Sequence, residues 1–257
     1  MKGKKSGFEP QVIVFSCNWG SFSGTDFSEI GGFQFPKKVR MVKVKCANEV
    51  DADVALETLK EGADGFLLIG CNPGDCHYQL NNKVCMCRME LAEKLLDLVG
   101  LEKKRVTLGW ASAEEEKKLG EIVDEFIERV KKLGPNPASN DEVLREKLSA
   151  AAVASISPRA KGCARKKIEL VASGNIYGET FTVRQFDLIL DPVLEQEYKR
   201  ARIMLLAKDG AKVQEIARKT GLEDSDVMLQ ITALRQEGKI VMGKVEDDGH
   251  PIFRSVM

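Results

Sequence analysis

The chain has 257 residues, 43% of them hydrophobic, and its 39 basic and 39 acidic residues leave a formal net charge of zero. That length suits one large or two ordinary domains with real cores. The charge balance gives no reason to expect nucleic acid or an anionic membrane as a partner, and two histidines, His77 and His250, are too few for a His-rich metal site.

The start, Met1 to Gly7, is basic but lacks the apolar stretch of a signal peptide. No apolar run approaches the roughly 20 residues that span a bilayer. A cytoplasmic location is therefore expected. In that reducing compartment the seven cysteines read as metal-binding or redox groups, not disulfides.

To about residue 135 the chain reads as repeated strand–helix units. A strand over 12–16 leads into a Gly/Ser-rich loop over 20–25. Thr25 caps a short helix over 26–30, stopped by Gly31-Gly32. A second strand covers about 39–45, and a helix over 52–61 is closed by Gly62. A third strand covers 65–70. A helix over 83–99 stops at Gly100, and a fourth strand covers 105–110. Ser112, with Glu115 and Glu116 after it, resembles a capping box. The helix it opens places Leu119, Ile122, Val123, Phe126, Ile127 and Val130 on one face and ends at Gly134-Pro135. Alternation of this kind implies an α/β fold, a small flavodoxin-like parallel sheet of about four strands, within a domain over 8–135.

Residues 135–140 have linker composition. Asp141 to Ala154 looks helical and Ala-rich, 158–167 is basic and carries Cys163, and 168–190 gives mixed signals, so 136–190 is taken as linker and unassigned segment. From Asp191 the pattern sharpens. Pro192 suits the first position of a helix reaching about Lys208. Helices over 213–219 and from Asp224 or Ser225 to Glu237 follow. A hairpin, 239–245 with 251–254, closes a winged-helix order over 191–257.

Four cysteines stand just after, or close behind, apolar runs. Val12 to Ser16 leads into Cys17, Val39 to Lys45 into Cys46, and Phe66 to Gly70 into Cys71, with Cys76 closing a Cys-x-x-x-x-Cys loop. Parallel strands end side by side, so residues just past their C-terminal ends converge. A lone cysteine is usually a small core residue. Four at equivalent strand ends describe a metal or cluster site. Four thiolates satisfy an iron–sulfur cluster and also structural zinc. One short pair joined to two distant single ligands leans slightly to a cluster and leaves zinc open. Gly20, Gly24, Gly70 and Gly74 would admit backbone N–H groups close to sulfur, or serve only as turn residues. No Gly-x-Gly-x-x-Gly follows a strand, no Ser/His/Asp set or acid pair converges, and the thiols occupy the edge where a flavin would sit, so no catalytic residue is expected.

Ser-Cys-Asn-Trp-Gly-Ser-Phe-Ser-Gly-Thr-Asp (16–26), Val-Arg-Met-Val-Lys-Val-Lys-Cys (39–46), Gly-Ala-Asp-Gly-Phe (62–66) and Gly-Cys-Asn-Pro-Gly-Asp-Cys-His-Tyr-Gln (70–79) together resemble the iron–sulfur (delta) subunit family of methyl-viologen-reducing hydrogenases, over about 8–134. The resemblance implies a 2Fe–2S cluster in place of zinc. It also implies electron transfer between a hydrogenase or formate dehydrogenase and the flavin subunit of a heterodisulfide-reductase-type complex that bifurcates electrons. The family often has a further cysteine where this chain has Gly20, which leaves Cys17, Cys46, Cys71 and Cys76 as the expected ligands. Cys85 and Cys87 depart from the family pattern and are possible additional ligands or spare thiols. Cys163 lies outside the resemblance and reads as a lone thiol. His77 is expected to hydrogen-bond near the site and not to ligate iron, and Trp19, Asp75 and Tyr78 to shape loops or an interface.

A winged helix binds DNA by default through its third helix. From Gly210 to Met257 there are seven Lys/Arg against eight Asp/Glu. Glu223, Asp224 and Asp226 open the third helix, and Glu246, Asp247 and Asp248 form the wing tip. Such a surface repels phosphate, which supplies most nonspecific affinity, so docking to protein is expected. The rival readings are a cluster-bearing redox sensor that regulates transcription, and a zinc-stabilised scaffold.

Overall fold

The computed structural model describes residues 7–18, 29–30, 33–78, 81–112, 115–247 and 249–256. Trp19, Gly20, Gly24, the Thr25 cap and the Gly31-Gly32 stop lie outside these residues. The chain divides into two compact units, Met1–Leu190 and Asp191–Met257.

In the first unit, strand β1 (Val12–Cys17) is followed by a short antiparallel pair, β2 (Glu29–Ile30) and β3 (Phe33–Gln34), and by β4 (Val39–Val44). The helix expected over 26–30 is thus a strand at its last two residues. Then come α1 (Ala52–Lys60), β5 (Gly65–Gly70), α2 (Asn81–Val99), β6 (Val106–Trp110) and α3 (Glu116–Leu133). The sheet runs β4-β1-β5-β6, and every neighbouring pair in it is parallel. Counted along the parallel strands the order is 2-1-3-4, that of a flavodoxin-like sheet one strand short. β5 is buried along its whole length, as an inner parallel strand covered on both faces must be. Val12, Val14, Leu67 and Ile69 pack on Leu119, Val123, Phe126, Ile127 and Val130, the apolar stripe of α3.

Much of 136–190 is helical, including the helix expected over 141–154. Asn136 is 1% exposed. Its side-chain amide donates to the Leu59 and Ala63 carbonyls at 2.7 Å each, and its backbone N–H donates to Asp64 Oδ1 at 2.7 Å. Arg105, equally buried, donates to the Asp64, Gly134 and Pro135 carbonyls, so the turn after α3 is clamped to the N-terminal edge of the sheet. Helix α4 (Glu142–Ser155), capped by Asp141, packs on α1 and α2, and α5 (Pro158–Ser173), capped by Ser157, packs on α2. The residues that make these contacts are mostly small. Ala150, Ala151, Ala152 and Ala154 are buried on α4, as are Ala160 and Ala164 on α5.

Helix α6 (Val183–Leu206) begins at Val183, not Asp191, and Pro192 lies inside it instead of at its start. Leu190 and Leu194, on either side of Pro192, are buried, so apolar packing holds the helix across a residue that lacks the N–H for its turn. In the second unit α7 (Val213–Thr220) ends on the left-handed Gly221, and α8 (Asp224–Gln236) precedes the hairpin of β7 (Ile240–Val245) and β8 (Pro251–Ser255). Ile203, Ile216, Val227, Ile231, Leu234, Ile240 and Phe253 form its core. Among the described residues no helix is long and apolar enough to cross a membrane.

Candidate functional site

Three neighbouring strands end together, and each end carries a thiol. Cys17 is the last residue of β1 and pairs in register with Val44 of β4; Ser16 pairs with Ile69 of β5. Cys46 and Cys71 therefore leave the sheet on either side of Cys17, at the same C-terminal edge. All three are buried, as is Cys76. The Cys17 thiol donates to the Lys45 carbonyl at 3.8 Å.

The loop from Cys71 to Cys76 is held by polar groups at the start of α3. Asn72 donates to Ser112 Oγ at 2.7 Å and Glu115 Oε2 at 2.8 Å, and Lys118 Nζ reaches Asn72 Oδ1 at 3.1 Å. Ser112 Oγ donates to Asp75 Oδ2 at 2.8 Å, and the Ser112 N–H donates to Glu115 Oε2 at 2.9 Å, but α3 is capped at Glu115 with no side-chain cap hydrogen bond, so the expected capping box at Ser112 does not form. The backbone N–H of Ser112, followed by the Asn72 and Lys118 side chains, holds the Glu115 carboxyl down at about 2. Gly74 has φ +103°, open to glycine and strained for other residues. At Gly70 a Cβ would sit 2.8 Å from the Trp110 ring, so glycine is what lets Trp110 close over the strand end before Cys71.

Cys71 lies against Cys76 and Cys17 and is hydrogen-bonded to both; burial, then the neighbouring Cys17 and Cys76 sulfurs, pushes its thiol up to about 12. Cys85, on α2 and 1% exposed, also faces the group. Burial pushes its thiol up to about 12, followed by Cys46, with Cys17 and Cys76 adding to the effect and Arg88 opposing it. Five sulfurs thus converge: Cys17, Cys46, Cys71, Cys76 and Cys85. The other two do not. Burial and the Glu90 carboxylate push Cys87 up to about 11, against the charge of Lys167, on a different face of α2. Cys163 is half-buried on α5, its thiol raised by burial. His77 and Tyr78 are exposed, their rings edge to face at 4.9 Å.

Among the described residues, no group of three or more His, Cys, Asp or Glu side chains is placed so that it could hold a metal ion as it stands. What the chain provides is a buried set of thiols facing one another. Burial keeps such thiols protonated at neutral pH unless a cation compensates the thiolates. A sulfur-only donor set selects a soft metal or an iron–sulfur group over a hard cation.

The family of the methyl-viologen-reducing hydrogenase delta subunit matches residues 12–134. The chain is 36% identical over 128 residues to the iron-sulfur subunit of the F420-non-reducing hydrogenase vhc of Methanococcus voltae, covering 50% of this chain and 89% of that protein. It is 37% identical over 128 residues to the iron-sulfur subunit of the F420-non-reducing hydrogenase of Archaeoglobus profundus, covering 50% and 93%. It is also 32% identical over 126 residues to one subunit of the ferredoxin/F(420)H(2)-dependent CoB-CoM heterodisulfide reductase of Methanosarcina acetivorans, covering 49% of this chain and 16% of that larger protein. The matched stretch holds all three strand-end loops and the whole thiol group. Through residues 12–134, the chain belongs to the family of the methyl-viologen-reducing hydrogenase delta subunit.

Proposed function

We propose that the protein is a non-catalytic electron-transfer subunit, cytoplasmic, whose thiol group holds a 2Fe–2S cluster. The observation that carries this reading is the convergence of buried thiols at the ends of three adjacent parallel strands. The ligands are drawn from the buried thiols Cys17, Cys46, Cys71, Cys76 and Cys85. When bound, the cluster supplies a one-electron carrier. The chain's own residues fix the thiols on a rigid sheet edge, with the Asn72–Ser112–Glu115–Lys118 network holding the Cys71–Cys76 loop. Their burial keeps water off the sulfurs, a lever on potential.

The relatives are named as iron-sulfur subunits of hydrogenases and as part of a heterodisulfide reductase. Those names support partners of two kinds. One is a hydrogenase or formate dehydrogenase. The other is the flavin-containing subunit of a heterodisulfide-reductase-type, electron-bifurcating complex. A stretch similar to residues of this domain also occurs inside the larger heterodisulfide reductase polypeptide, which supports the second kind in particular.

We read residues 191–257, with three helical stretches followed by a hairpin, as a winged-helix unit. We read this unit as a protein-docking module. Glu223, Asp224 and Asp226 stand at the N-terminal end of α8, where a DNA reader would present bases with cations. Met228, Leu229, Val241, Met242 and Val245 are exposed apolar residues of the same unit. Anaerobic purification of the full chain from native cells tests the proposal. Co-purification of a flavin-containing subunit with a hydrogenase or formate dehydrogenase is expected. A chain recovered without redox partners that binds duplex DNA below micromolar with a steep salt dependence would contradict it in favour of a regulator.

A further inference from the structure

The fifth thiol is built into the site, not merely near it. Asn82, Cys85 and Arg88 follow one another at three-residue steps along α2, so they share one side of the helix. Asn82 donates to the Cys71 carbonyl at 2.9 Å and the Asn72 carbonyl at 3.1 Å, which fastens the start of α2 to the Cys71–Cys76 loop. Arg88 donates to the Asn48 carbonyl and pairs with Asp51 Oδ1 at 3.5 Å, which fastens the next turn to the segment behind Cys46. Cys85 stands between the two tethers, 1% exposed, on the side of α2 fastened to the Cys71–Cys76 loop and to the segment behind Cys46. Cys87 is two residues further, about 200° round the helix, and meets Glu90 and Lys167 instead. Two buried cysteines on one helix are thereby sorted, one into the thiol group and one out of it.

Resting on the iron–sulfur reading above, we infer that Cys85 is a direct ligand of the cluster, alongside Cys46 and two of the thiolates of Cys17, Cys71 and Cys76. A 2Fe–2S cluster takes four cysteine ligands, so one sulfur of that hydrogen-bonded trio is held in reserve. α2 then becomes part of the site's wall.

The test compares the full-length protein with Cys85→Ser and Cys87→Ser, all purified anaerobically, by iron and acid-labile sulfide content and by EPR of the reduced state. For Cys85→Ser the expected result is at least a twofold loss of iron and sulfide, or retained iron with g values moved from those of the unsubstituted protein by ligand exchange. For Cys87→Ser the expected result is unchanged content and g values. Cys85→Ser with unchanged iron, sulfide and g values would overturn the assignment. So would Cys87→Ser losing the cluster as fully as Cys85→Ser, since the loss would then come from the helix and not the ligand. Zinc without iron in the unsubstituted protein would defeat the iron–sulfur reading itself, an outcome distinct from either.

Discussion

Glu115 is the residue on which the Cys71–Cys76 loop leans. Its carboxylate accepts from the Ser112 N–H, the Asn72 amide and the Lys118 ammonium. Its folded value, about 2, is depressed below the ordinary 4.5. A depressed carboxylate contributes stability that is fully present above the unfolded value and is lost as pH falls through the folded one. Thermal melts of the protein and of Glu115→Gln should therefore differ most above pH 5. The difference in melting temperature should close as pH falls from about 4.5 to 2. A difference that stays constant over that window would show that the carboxylate is not held as described. Cys85 shows what residue-level reading misses. As one of two spare cysteines it carried no signal of its own. Its proposed role rests on Asn82 and Arg88, on the same side of α2 and each bound to a different thiol-bearing segment. The three-residue spacing was in the sequence, but the partners of the two flanking residues were not.

At the scale of elements, β1 and β5 were legible because apolar runs bounded by polar or turn residues are what inner parallel strands require. The stripe of α3 was legible by its helical period. The helix over 141–154 was legible as well, but the stretch over 158–190 was not, and the reason is compositional. α5 buries alanines and Lys167, which donates to Asp187 Oδ1 at 2.8 Å and pairs with Glu90. A helix that packs through alanine and a paired lysine shows little hydrophobic contrast. The Pro135–Asn140 segment failed as a linker for a similar reason. Its polar residue, Asn136, is buried and saturated with backbone partners. Asn136→Ala should cost about 2–3 kcal/mol, since it leaves the Leu59 and Ala63 carbonyls unpaired in the interior. That should lower the melting temperature by about 5–10 °C. Asn136 sits at the N-terminal edge of the sheet, opposite the thiols, so metal content should be unchanged. Lost metal with an unchanged melting temperature would reverse the roles assigned to the two edges.

On the scale of the molecule, one unit carries the family's sheet and thiols, and the other carries three helical stretches and a hairpin, with Glu223, Asp224 and Asp226 at the start of its last helix. The hydrogenase relatives match only the first. The electron-transfer reading stands or falls with the thiol group, and the most direct measurement is made on the full chain purified anaerobically. Iron, acid-labile sulfide and zinc are determined together, and the dithionite-reduced protein is examined by EPR. The expected result is iron and sulfide in equal amounts, about two of each per chain, with a rhombic signal of a reduced 2Fe–2S cluster. Stoichiometric zinc with neither iron nor sulfide would contradict it.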